Sequence, residues 1–439
     1  MYTQFDEKDP NYLDLQSGAP HRDLLPLDII RTSTQLSLDQ SLWPPSLNGL
    51  SLQDYALQYS PNDGSPEIRE SIASTLSGSY SNQKDLVKER IMLHTGASQG
   101  LMTLLTWLQV PTSSQHKNKR PLPHLYLPTT TYFIALSMFQ EAGIDMDKDV
   151  TIVDEQNDGI NLVVLEEELK KRTNLESDAK YDGLLYLIPT HANPTSTILS
   201  DEKRRQLVAL AQQYRLLVVT DDVYELLTFP PHASAVPPRL AWYDMKYGSG
   251  KNVIGNNSFS KVLGPGLRVG YYEADPSILQ ELYSLGWIES GGCPSNFASR
   301  MLLPLFCEAL TPHFPQVSSS RTALEHVVSQ IQSSLEARCQ YLIDAIEEYL
   351  FPLGFTLPYG KPCGGYFLFL GLPSSMEVAT VLQALEDVKI YVSTSKNFCV
   401  QPSKLKQALG IDCLRISFTF YNQALLRPRL ARLVEVLQP

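Results

Sequence analysis

The segment Ser258-Phe259-Ser260-Lys261-Val262-Leu263-Gly264-Pro265-Gly266-Leu267-Arg268-Val269-Gly270 gathers more reactive chemistry than any other stretch of the chain. It sets a lysine beside two hydroxyls, follows it with a glycine-rich turn and ends on an arginine. A lysine that forms a Schiff base needs neighbours that bind a phosphate dianion, and hydroxyl donors with a guanidinium supply them. A lone lysine and arginine on a surface loop would mean little, but the order of hydroxyls, cation, glycines and cation is specific.

Other segments carry compatible chemistry. In His94-Thr95-Gly96-Ala97-Ser98-Gln99-Gly100, between a strand-like run and the apolar run Leu101 to Leu108, backbone N–H groups open a helix, a natural seat for phosphate. The same residues satisfy Gly-x-Ser-x-Gly, the nucleophile elbow of α/β-hydrolases. A hydrolase would draw on His313 or His326, but it lacks an upstream glycine-rich oxyanion segment and leaves Lys261 unexplained. Asp221-Asp222-Val223-Tyr224 follows an apolar strand at the carboxyl end where open α/β sheets bind ligands, although Asp221 could simply cap a helix. The Asn193-Pro194 pair makes a rigid turn that can aim an amide. Tyr132, after Pro128-Thr129-Thr130-Thr131, offers a ring that could equally be core. In Leu414-Arg415-Ile416-Ser417-Phe418-Thr419-Phe420 the alternation puts Arg415 opposite the apolar residues, an ordinary place for an exposed arginine.

Together these motifs resemble the class I/II aminotransferases, fold-type I enzymes dependent on pyridoxal 5′-phosphate (PLP), and within them the kynurenine/α-aminoadipate aminotransferase subgroup. The resemblance runs from about residue 14 to 420. It implies that Lys261 holds PLP as a Schiff base, that Ser258, Ser260, Arg268, Ala97, Ser98 and Gln99 hold its phosphate, and that Tyr132 stacks on its ring. It further implies that Asp221 pairs with the pyridinium nitrogen, that Asn193 and Tyr224 donate to the phenolate oxygen, and that Arg415 forks onto the substrate α-carboxylate, with Gly18 nearby. Tyr59, in Leu57-Gln58-Tyr59-Ser60-Pro61, matches a tyrosine that reaches the phosphate of a neighbouring subunit, which implies a homodimer with shared sites. Ser196 departs from the family pattern, which usually has glycine there, and this bears on turn geometry more than on chemistry.

The elements that must position these residues read as α/β. From about Leu86 to Tyr272, apolar helical patterns alternate with strand-like runs at Ile91-Met92-Leu93, Leu125-Tyr126-Leu127, Leu184 to Ile188, Leu216 to Val219 and Val269 to Tyr272. This predicts a mostly parallel sheet covered by helices. Asp201 to Tyr214 reads as a crossover helix capped by Ser200, and the proline-rich stretch Pro230 to Gly250 as a loop. After about Ser320 come a long helix (Thr322 to Leu350), strands at Tyr366 to Leu370, Lys389 to Val392 and Leu414 to Phe420, and a closing helix, the pattern of a smaller α+β domain. The expected division is an N-terminal arm over 1–50, packed on the small domain or a partner subunit, a large PLP-binding domain over 51–320 and a small domain over 321–439.

Composition narrows the function. With 439 residues, 43% of them hydrophobic, the chain can bury a large core, and its net charge of −11 disfavours nucleic acid. The one basic run, His116-Lys117-Asn118-Lys119-Arg120, suits a solvated loop. Six scattered cysteines without zinc spacing fit a reducing compartment and no metal. Neither a targeting leader nor a membrane-spanning apolar run is evident, so the expectation is a cytoplasmic protein with small-molecule partners, an amino acid and a 2-oxo acid. Lys261, once displaced by a substrate amine, would serve as general base at Cα. Returning the proton to the cofactor gives transamination, the preferred reading; expelling a Cβ group gives carbon–sulfur β-elimination, as in some lyases of fungal secondary metabolism that share the scaffold. A transcriptional regulator built on the same domain would need a DNA-binding domain before Leu13, which the sequence does not show.

Overall fold

The computed structural model describes residues 12–42, 56–79, 86–111, 120–173, 180–317 and 322–438. The basic run at 116–119 and the first residues of the arm lie outside them. The strands are β1 (Leu13–Asp14), β2 (Ile91–His94), β3 (His124–Pro128), β4 (Val150–Val153), β5 (Glu155–Gln156), β6 (Gly159–Ile160), β7 (Gly183–Leu187), β8 (Leu216–Asp221), β9 (Val253–Ser258), β10 (Gly270–Glu273), β11 (Phe367–Gly371), β12 (Ile390–Tyr391), β13 (Ser393–Thr394) and β14 (Cys413–Ser417).

A seven-stranded sheet runs in the order β2-β10-β9-β8-β7-β3-β4. Every neighbouring pair is parallel except the two made by β10. β7 and β8 are buried along their whole length, so Leu184-Leu185-Tyr186-Leu187 and Leu216-Leu217-Val218-Val219 read as continuous apolar runs, the expected signature of a sheet covered on both faces. The helix Asp201–Gln213 lies between these two strands in sequence, with the Ser200 hydroxyl accepting from Lys203 N, a cap that contributes about 1 kcal/mol.

Topology turns this sheet into a platform. Because β10 alone is reversed, the carboxyl ends of β2, β3, β7, β8 and β9 and the entry to β10 all lie along one edge. The segments Thr95–Gln99, Thr129–Tyr132, Pro189–Asn193, Asp221–Tyr224, Ser258–Lys261 and Arg268 are therefore delivered to the same side, as open α/β sheets deliver ligand-binding loops.

A second, three-stranded antiparallel sheet, β11-β14-β13, carries Arg415 on its central strand. The helix Ala323–Tyr349 packs behind it, started by a capping box in which Thr322 and Glu325 satisfy each other's backbone N–H groups. The chain start is tied to this sheet region: Leu13–Asp14 pairs in parallel with Ile390–Tyr391, and Ser417 N donates to Leu15 O.

One expectation is corrected. Pro230 to Gly250 is not a loop, because it forms a 3-10 turn over Pro230–Ala235 and an α-helix over Leu240–Tyr247. Leu240, Ala241, Trp242 and Tyr243 are buried in succession, so no amphipathic period marks the helix. The ordinary alternative for Arg415, an exposed strand face, is also set aside, because the residue is buried. Both faces of β14 are covered, and the alternation in its sequence separates two packed sides rather than core from solvent.

Candidate active site

Lys261 closes a 3-10 turn, Phe259–Lys261, at the end of β9. Its Nζ donates to Gly18 O at 2.8 Å, and its own carbonyl accepts from the Tyr366 hydroxyl, also at 2.8 Å. Burial pushes the amine down to about 8; the Asp221 carboxylate opposes this and the Arg415 guanidinium adds to it. Lys261 is thus a lysine with a substantial neutral fraction near physiological pH, as a nucleophile and base requires.

Asp221 is the last residue of β8. Burial raises its carboxyl to about 6, a hydrogen bond from Tyr186 lowers it, and the charge of Asp222 raises it further. The Tyr186 hydroxyl donates to Asp221 Oδ2 at 2.6 Å. Oδ1 is buried and has no hydrogen-bond partner among the described residues. A buried acceptor left open in this way fits a ligand N–H, because an unmet carboxylate oxygen otherwise costs about 1–3 kcal/mol. Tyr224, nearly fully buried, places its ring 5.8 Å from Lys261 Nζ.

Arg415 is held on all sides. Nη1 donates to Asn193 Oδ1 at 3.0 Å and Nη2 to Gln16 O at 2.6 Å, while Phe367 and Phe398 lie over the guanidinium at 4.1 and 4.5 Å. A planar guanidinium accepts such stacking, which an ammonium does not reproduce. Gly18 belongs to the same cluster, since a Cβ there would meet Phe367 Cζ at 2.9 Å. Asn193 is buried, in the turn that follows β7. Three residues on, Ser196 has a left-handed φ of 60° where glycine would be at ease, and its hydroxyl donates to Phe367 O, a bond that glycine could not make.

At the other end, Ser258 and Ser260 exchange a hydroxyl hydrogen bond at 2.8 Å, and Ser260 N donates to Ser258 Oγ at 3.1 Å. Arg268, exposed and left-handed at φ 53°, donates from Nη1 to Pro265 O at 3.0 Å. Its guanidinium lies against Gly96, where a Cβ would come within 2.8 Å of Nη2. Gly96 caps the helix Ala97–Leu108, so the arginine and the positive end of the helix converge on one spot. Ser98 is exposed in the first turn. The Gln99 side chain is committed to Thr95 and Thr103, which leaves its backbone to face a ligand. Tyr132 caps the helix Phe133–Glu141 and is half-buried.

Tyr59 is the exception. It is 79% exposed and is not drawn into this chain's cluster. Two contributors escaped the sequence reading. Phe367 shelters Arg415, and Tyr186 holds Asp221; the only sequence signal for Tyr186 is a hydroxyl-bearing ring inside an otherwise aliphatic strand, which requires a buried partner.

Residues 11–432 match the family Aminotransferase class I and II. The chain belongs to that family. It is 24% identical over 429 residues to aromatic-amino-acid aminotransferase 1 of Thermococcus litoralis, covering 97% of this chain and 88% of that one. It is 27% identical over 397 residues to the uncharacterized protein YER152C of Saccharomyces cerevisiae, covering 83% and 84% of the two chains. Among solved structures, kynurenine aminotransferase of Pyrococcus horikoshii superposes with a TM-score of 0.73 at 23% identity, covering 98% of this chain and 92% of that one. The fold is that of the fold-type I enzymes, and the family's cofactor is pyridoxal 5′-phosphate. The residues at the sheet edge fit that group: an amine of lowered basicity, an open buried carboxylate oxygen, and an arginine beside a helix start. Family membership also removes the hydrolase reading of the Gly96-x-Ser98-x-Gly100 segment. Among the described residues no helix is long and apolar enough to cross a membrane, and no acidic, histidine or cysteine group is placed to hold a metal.

Proposed function

We propose that this chain moves an amino group between an amino acid and a 2-oxo acid, with Lys261 as both the cofactor's attachment point and the proton carrier. The observation that carries this reading is the buried Lys261 amine at the end of β9, bonded to Gly18 O at 2.8 Å beside the Tyr224 and Tyr366 rings, with burial lowering its basicity. Pyridoxal 5′-phosphate, when bound, supplies an electron-withdrawing ring that acidifies the Cα–H of an attached amino acid. Asp221 Oδ1 would take the ring N–H and keep it protonated. Ser258, Ser260, Arg268 and the backbone of Ala97, Ser98 and Gln99 would hold the phosphate, Asn193 and Tyr224 the phenolate oxygen, and Tyr132 one face of the ring. Arg415 would fix the substrate carboxylate by its two Nη atoms, which holds Cα in one orientation relative to Lys261. The Lys261 amine would then take the Cα proton of the donor amino acid and deliver it to the cofactor, and in the reverse half-reaction it would carry a proton from the cofactor to C2 of the 2-oxo acid.

The same reading divides the chain into an arm over 1–50, a cofactor-binding domain over 51–320 and a small domain over 321–439. It also joins two chains into a homodimer. Leu57, Tyr59 and Phe297 are exposed apolar groups, at 84%, 79% and 48%, on segments linked by the Asn296 Nδ2 to Gln58 O bond. A patch of this kind supports a partner surface, and Tyr59 would then serve the neighbouring site.

The test is an absorbance titration of PLP-loaded protein with amino acids and cysteine conjugates in the absence of any 2-oxo acid. A single stoichiometric conversion to the amino form of the cofactor, which then stops, is the expected result and names the substrate class. Continued release of thiol, ammonia and 2-oxo acid over many turnovers overturns it in favour of carbon–sulfur β-elimination.

A further inference from the structure

Tyr186 lies on β7 beside β8, the strand that ends in Asp221. Paired residues on neighbouring strands point to the same face, and Tyr186 pairs with Val219, two residues before Asp221. The tyrosine and the carboxylate therefore share one face and meet at its edge. The Tyr186 ring is 1% exposed and fixed edge-on against Phe139, with centroids 5.5 Å apart and planes at 77°. A ring fixed in this way delivers its hydroxyl to a set point, 2.6 Å from Asp221 Oδ2. Burial holds the phenol well above its ordinary range, so it donates to the carboxylate rather than competing with it as an anion.

We propose that Tyr186 is a positioning residue for Asp221: by occupying Oδ2 it fixes the carboxylate plane and presents Oδ1 to the cofactor's ring nitrogen. This rests on the reading that Asp221 meets that nitrogen. The asymmetry of the two oxygens is the supporting observation, one saturated by a fixed phenol and the other buried and open. A carboxylate with both oxygens free could rotate about its Cβ–Cγ bond and would meet the ring nitrogen in a fraction of its orientations. The hydrogen bond also favours the charged carboxylate over the neutral acid, against burial and the nearby Asp222. It thus sets both the direction and the charge of the group that faces the ring.

The decisive experiment is a double-mutant cycle read by PLP affinity, with Tyr186→Phe, Asp221→Asn and the pair, using equilibrium dialysis between about pH 5 and pH 7.5. Tyr186→Phe keeps the ring and its packing against Phe139 and removes only the hydroxyl, and circular dichroism checks that each variant is folded. The expected result is a loss of affinity of roughly tenfold or more in Tyr186→Phe. The pH at which affinity is half lost should also move upward by about one unit, because a carboxylate without its donor protonates more readily. In the Asp221→Asn background the same substitution should have little further effect. An equal loss in both backgrounds overturns the proposal, since Tyr186 would then act only through packing. Unchanged affinity in Tyr186→Phe while Asp221→Asn weakens binding also overturns it and leaves the Asp221 reading intact. Unchanged affinity in Asp221→Asn overturns both.

Discussion

Arg415 lies enclosed between Phe367 and Phe398 with both Nη atoms already bonded, whereas Arg268 stands exposed on a left-handed turn with Nη1 on the Pro265 carbonyl. Both guanidiniums face the sheet edge that carries Lys261, and each is proposed to meet an anion. The Arg415 end is fixed before any ligand arrives: its charge is desolvated, its plane is set, and what binds must conform to it. The Arg268 end is open to water, and its field is shared with the helix start behind Gly96. Selectivity by geometry belongs at the first end, and screened, additive attraction at the second.

Four measurements would break or sharpen this contrast. The largest effect belongs to Arg415→Ala, for which kcat/KM with an amino-acid donor should fall on the order of 10³-fold, as expected when a buried charge partner is truncated. Arg415→Lys should not restore it, because an ammonium has neither the fork nor the stacking plane. A rate within a few-fold of the parent would mean that the enclosed end does not hold the substrate.

Arg268→Ala should weaken PLP binding by roughly tenfold at low salt, and by less as ionic strength rises, since an exposed charge is screened. A deficit that does not depend on salt would place Arg268 among fixed contacts like those of Arg415.

The two ends should also differ in their influence on Lys261. Its amine, lowered to about 8, reacts when neutral, so the rate of PLP attachment should rise with pH and level off above that value. The folded value lies below the ordinary 10.5, so folding releases a proton between the two; the unloaded protein gains stability from this group as pH rises through that window. Arg415 contributes to the lowering, so Arg415→Ala should move the kinetic midpoint upward, and Arg268→Ala should leave it in place. Equal shifts from both would erase the distinction.

The smallest effect concerns Ser196→Gly, beside the enclosed end. Relief of the left-handed backbone and loss of the bond to Phe367 O nearly cancel, so the melting temperature should drop by no more than about 3 °C.

Much of this was legible in the sequence because it is local. The Ser258–Arg268 segment announces itself by composition, and Asp221 through Tyr224 and the Asn193 turn by their position after apolar strands; the structure delivers them to one edge. What was not legible depends on burial from both sides. β9 contains Gly255, Asn256 and Asn257, polar or small residues that mask a central strand. The helix Leu240–Tyr247 hides because every residue of its first turn is buried. Alternation alone leaves Arg415 open to an exposed reading, because it reports two faces without saying what covers them, and only the family motif points to the site. Tyr186 reads as core because no local pattern links it to a residue on the neighbouring strand.

Gly96 and Arg268 are separated by most of the large sheet's sequence, yet the missing side chain of one is the space occupied by the guanidinium of the other. In terms of descent, the coupling runs one way: a side chain at 96 would have to take a left-handed φ of 101° and displace the guanidinium, whereas a smaller residue at 268 leaves Gly96 without a clash.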